Sequence, residues 1–160
     1  MFDKITKFLS EIAGLSTAKP GLDPDDPRLA AVALMVHLVD ADGIRTANEI
    51  GRLREIISEA YGLSMPETEA LIAQGEIADR EAVDFYRFTK ILSRALDRNQ
   101  RQAFVATMWE LVLADRNVGE LEGHILWRIA ELIGVEQVDR IAIRQSVKGG
   151  VKSGIKGKGA

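Results

Sequence analysis

Apolar residues along this chain recur at three- and four-residue steps and nowhere alternate, a pattern that predicts helices throughout and no strands. Phe2, Ile5, Phe8, Leu9 and Ile12 mark a short amphipathic helix over 2–13, ended by Gly14. Residues 15–26 are rich in Pro, Gly, Ser and Asp and read as a linker. Asp26 then caps a helix opened by Pro27, and the run from Leu29 to Val39 is apolar nearly all round, which suits a central, enclosed helix. Thr46 and Glu49 have the spacing of a capping box and start a helix from Ala47 to Tyr61 that stops at Gly62. Ser64 and Glu67 repeat the device and open a helix expected to run to about Gln74 and end at Gly75. The stripe of Val83, Phe85, Phe88, Ile91, Leu92 and Leu96 predicts a helix over 80–96, and a third box, Asp97 with Gln100, opens one through Ala114. Residues 120–133, with Leu121, Ile125, Leu126, Ile129 and Ile133 facing inward, stop at Gly134, and 136–147 form the last helix.

These elements make an all-α protein, a single compact multi-helix domain of about seven to eight helices. Two of its segments also read alike. Met35 and Met108, Leu38 and Leu111, Asp42 and Asp115, Glu49 and Glu122 share one offset of 73 residues (108 − 35, 122 − 49). An apolar run, an acid, a short turn and an acid-bearing helix therefore occur twice, which suggests an internal helix-turn-helix duplication. The expected organisation is an N-terminal helix (1–14), a linker (15–26), the helical domain (27–147) and a Gly/Lys-rich tail (148–160) expected to be disordered.

The repeated acids carry the candidate chemistry. Asp42 and Asp115 end apolar helices, where backbone carbonyls hold partial negative charge, so each is disfavoured by about a few tenths of a kcal/mol. One form of compensation is capping: Asp42 accepts amide hydrogen bonds in the turn and favours the start of the next helix. The other is a hard divalent cation, with Asp42 at the turn and Glu49 one turn into the next helix converging on one point, and oxygen-only ligation suits calcium or magnesium better than zinc. Asp40 falls on the third position of a calcium loop, but the first position is Leu38, and Arg116 takes the glycine slot in the second copy, so an ordinary EF-hand is rejected. The metal candidates are thus Asp40, Asp42, Glu49, Asp115 and Glu122.

The run Ala33-Leu-Met-Val-His-Leu-Val-Asp-Ala-Asp-Gly43 with Glu49, then Leu111-Val-Leu-Ala-Asp115 with Glu122, and the closing Trp127-Arg-Ile-Ala-Glu-Leu-Ile-Gly134, together resemble the paired Ala-Asp-Gly…Glu motif of the TerB-like tellurite-resistance family. The likeness spans roughly residues 28–146. It implies an all-helical domain, related to the N-terminal domain of DnaJ-like membrane co-chaperones, that binds divalent metal through the repeated acids. Arg116, in place of the second glycine, is this chain's departure from that pattern.

Composition narrows the choice further. The chain has no cysteine, so disulfides, thiolate metal sites and cysteine nucleophiles are excluded. Neither a secretory leader nor a membrane span is legible, which suggests a cytoplasmic protein, and a net charge of −3 gives no reason to expect nucleic acid as a partner. His37 and His124 have no nucleophile beside them in sequence, and there is no phosphate loop, so the chain is read as a binding module and not an enzyme. Its expected partners are a divalent metal, a protein, or both. Trp109, in register with Val36, is expected in the core. Lys148, Lys152, Lys156 and Lys158 of the tail allow weak contact with an anionic membrane, at about 1 kcal/mol per lysine. The alternative to a metal-binding module is a protein-interaction scaffold whose acids serve as caps.

Overall fold

Asp26 opens the first helix of a computed structural model of the chain, which describes residues 24–41, 43, 45–113 and 120–147. Its carboxylate accepts from the Arg28 amide at 2.8 Å and from the Arg28 guanidinium at 3.1 and 2.7 Å. Both side chains are buried, so cap and counter-charge enter the interior together. The helix they start, α1 (Pro27–Val39), is buried at every residue from Arg28 to Val39 except His37.

Around it stand α2 (Ala47–Tyr61), α3 (Met65–Glu81), α4 (Tyr86–Ala95), α5 (Arg98–Leu113) and α6 (Glu120–Ile133), and residues 137–147 form a further helix, α7. Among the described residues every regular element is a helix and there is no strand. α1 packs against α2, α3, α4, α5 and α6, and its residues share one core with Leu53 and Ile57 of α2, Phe88 and Leu92 of α4, Phe104 and Met108 of α5 and Ile129 of α6. No helix among the described residues is long and apolar enough to cross a membrane. The predicted helix over 2–13, nearly all of the linker and the Gly/Lys tail lie outside the described residues.

The caps fall where the spacing put them. Thr46 Oγ1 accepts from the Glu49 amide, Ser64 and Glu67 form a reciprocal box, and Asp97 and Gln100 exchange two bonds of 2.9 Å. α2 ends at Gly62 and α6 at Gly134, as expected.

Three expectations need correction. α3 does not stop at Gly75 but runs through it to Glu81. Gly75 is buried against α1: a Cβ there would lie 2.7 Å from Val32 Cγ1 and 3.4 Å from the Ala33 nitrogen. The glycine is a place of close helix approach and not a terminator. Second, no helix spans 80–96; the chain bends over 82–85, Asp84 accepts from the Tyr86 amide, and α4 begins only at Tyr86. Val83 thereby leaves the apolar stripe and is fully exposed. Third, Leu121 of α6 faces outward and is half exposed, while Leu126, Ile129 and Ile133 are buried.

The Gly75 contact gives a differential test. Gly75→Ala should be destabilising, since overpacking of about 1–3 kcal/mol outweighs a helix-propensity gain of about 1 kcal/mol. Gly51→Ala, where nothing lies within 4 Å of the added methyl, should raise stability by up to about 1 kcal/mol. Thermal unfolding reads the two as opposite shifts in Tm, at about 2–4 °C per kcal/mol; a rise in Tm for Gly75→Ala would rule out the close α1–α3 approach.

Candidate acidic site

The turn after α1 is built by backbone bonds first. The Asp40 amide donates to the Val36 carbonyl and caps the helix, and the Gly43 amide donates to the Asp40 carbonyl at 2.9 Å. Gly43 closes the turn at φ 77°, in the region where a Cβ is strained. Asp40 itself is gripped by Arg45, whose guanidinium donates to both carboxylate oxygens at 2.7 Å and also lies 3.5 Å from Glu76 on α3. The Asp40 hydrogen bonds hold the Arg45 guanidinium above its ordinary pKa, against the opposing effect of desolvation. This bidentate pair neutralises an acid at a helix C-terminus and ties the turn to α3.

Glu49 is the third residue of α2 and Glu122 the third of α6, and both are buried, at 4% and 2% exposure. The starts of the two helices, Ala47 and Glu120, also keep the 73-residue offset (120 − 47). α2 and α6 each pack on α1 and on α5, the two helices that carry the apolar runs. Asp42 and the segment 114–119, with Asp115 and Arg116, lie outside the described residues. Among the described residues no three acids or histidines stand together as a group able to hold a metal ion. The described donors suit a hard cation in chemistry, being buried carboxylates, and the described residues alone do not make a complete coordination set.

A further buried acid escaped the sequence reading. Glu110 of α5 is 6% exposed and lies 3.7 Å from Arg52 of α2. Burial pushes its carboxyl above the usual glutamate range, partly offset by the Arg52 charge. No local signal could have placed it, because its partner lies on another helix. His37 is a boundary residue: Nδ1 lies 2.8 Å from Asp79 Oδ1 of α3 and the ring packs 5.1 Å from Phe85. Trp109 is buried and meets Trp127 edge-on at 6.4 Å, and Arg144 and Arg140 of α7 stack over the two rings.

The family model described as "Tellurite resistance protein TerB" matches residues 28–145, from the start of α1 nearly to the end of α7. No curated protein and no solved structure matches the chain.

The raised Glu110 carboxyl fixes a sign. Folding favours the protonated form, so its stabilising effect is present below the ordinary glutamate value of about 4.3 and is lost as pH rises through the higher folded value. At neutral pH the charge is therefore a burden, and Glu110→Gln should raise Tm at pH 7 and have little effect at pH 4. A variant less stable than the parent at pH 7 would mean that the Arg52 pairing outweighs desolvation.

Proposed function

The chain belongs to the TerB family of tellurite resistance proteins, and from that premise we propose that it is a non-enzymatic, cytoplasmic binding module that takes up a divalent cation through its repeated acids in a stress or tellurite-resistance setting. The observation that carries this reading is the pair Glu49 and Glu122: two glutamates at one sequence offset, each third in its helix, each buried beside an apolar core. An ionised carboxylate stays inside a protein only where hydrogen bonds or a cation offset its lost hydration. Asp42 and Asp115 would join Glu49 and Glu122 as ligands, with Asp40 at the margin because Arg45 already engages both of its oxygens. The common offset of the two helix starts supports descent of the two halves from one helix-turn-helix unit. Oxygen donors without cysteine favour calcium or magnesium.

A second reading, an interaction scaffold whose acids are structural, is favoured by the Asp40–Arg45 pair and the Thr46 cap, which use acids and turn without any ion.

Titration with calcium, magnesium, manganese and zinc, followed by calorimetry and thermal unfolding, separates the two. A bound cation at about 100 times its Kd should stabilise the fold by about 2.7 kcal/mol, and Glu49→Gln should remove most of that gain. Thr46→Ala should cost about 1 kcal/mol with or without metal. If none of the four ions shifts the unfolding of the parent protein, the cation reading falls and the scaffold stands.

A further inference from the structure

A second surface lies at the opposite end of α1 from Asp40, about 20 Å away by the rise of the helix. There the start of α1 and one side of α4 enclose an open groove of about 510 Å³, with Pro27, Ile91 and Ala95 as its apolar part and Arg87, Lys90 and Arg94 around them. It continues past Arg87 into a smaller cavity of about 220 Å³ lined by Leu29, Ile77 and Phe88 among others.

The groove is mostly cationic: Arg87, Lys90 and Arg94 stand against one acid of its lining, Asp25. The ten residues of α4 carry three cations and no acid, although the chain as a whole is at −3. Positions 87, 90 and 94 are spaced three and four apart and so share one helix face. Among the described residues Lys90 and Arg94 are exposed and form no ion pair, and Arg87 has a surface pairing of 3.6 Å with Asp25, of the kind worth little. Unspent cations beside a recessed apolar floor call for a ligand with both carboxylates and apolar side chains. A small molecule would need closer enclosure than an open groove offers. A bilayer surface needs protruding apolar groups, and here Ile91 and Phe88 sit below the cationic edge.

We propose that this groove docks an acidic, leucine-type amphipathic segment of a partner protein, its carboxylates on Arg87, Lys90 and Arg94 and its apolar side chains over Pro27, Ile91 and Ala95. Docking of a helix or strand bearing alternate apolar anchors in such a groove is a common mode of peptide recognition. The surface does not depend on the acidic turns, and the proposal stands whether or not those bind a cation.

The test uses the full chain and a fluorescein-labelled synthetic peptide of glutamate and leucine at helical spacing, with its glutamine counterpart as control. Fluorescence anisotropy should show saturable binding of the glutamate peptide that weakens with added salt, and at least tenfold weaker binding of the glutamine form. Lys90→Glu with Arg94→Glu, both exposed and expected to leave the circular dichroism and Tm unchanged, should weaken binding about tenfold or more. Arg128→Glu, an exposed charge reversal on α6, should leave it unaltered. Equal affinity for the two peptides, or equal losses from the α4 and α6 variants, would overturn the proposal. Binding to phosphatidylserine vesicles with none to either peptide would overturn it as well, and assign the face to an anionic membrane.

Discussion

Everything in this fold depends on one helix with no wet side. Apart from Pro27 at its first position and His37, α1 is buried throughout, so five other helices have to cover it, and each finds its core partners on it. Such a helix cannot place its charges along its length; they collect at its ends. At the start Asp26 and Arg28 enter as a hydrogen-bonded pair, and at the finish Asp40 is neutralised by Arg45. A buried ion pair is seldom a net source of stability, and removing either partner strands a charge. The pairs are better understood as locks on where α1 begins and ends.

The polarity of α1 also explains the hydroxyl of Tyr61, at the far end of α2. It is buried near the Asp26–Arg28 pair, and desolvation raises its pKa well above the ordinary phenol value. The end of α2 thus returns to the start of α1, and the two helices form an antiparallel hairpin about the acidic turn. α5 and α6 are connected in the same order, with the apolar helix first and the buried glutamate third in the helix that follows.

What the sequence revealed and what it hid divide along one line. Helix starts were legible because capping is local: Asp26, Thr46, Ser64 and Asp97 each bond within three residues of themselves. The family likeness was legible for the same reason, as it rests on short motifs at a fixed separation. Gly75 was misread because what decides its role, Val32, lies 43 residues earlier in the chain (75 − 32), and no window around the glycine contains it. Val83 and Leu121 failed likewise: each continues an apolar period, but a bend at 82–85 and the limited width of the α6 face leave them outside. The shared offset of Glu49 and Glu122 was visible in the sequence, whereas the burial of Glu110 and the Arg45 grip on Asp40 needed the third dimension.

The two halves differ, position by position, in the polar contacts around their turns. Adding 73 to Asp40 and Arg45 gives Leu113 and Val118, so the clamp on the first turn has no counterpart in the second half. Adding it to His37 gives Glu110, and the two pair with opposite partners, an aspartate on α3 and an arginine on α2. These polar groups answer to whichever helix happens to pack beside them. The acids present in both halves do not follow that rule: Asp42 with Asp115 and Glu49 with Glu122 keep both type and place while their neighbours change, Gly43 giving way to Arg116 among them. Packing keeps type and offset as well, in Met35 with Met108 and Leu38 with Leu111, all four buried in the core. For Glu49 and Glu122 position adds a local reason: each stands third in its helix, where a negative charge meets the free amides of the first turn.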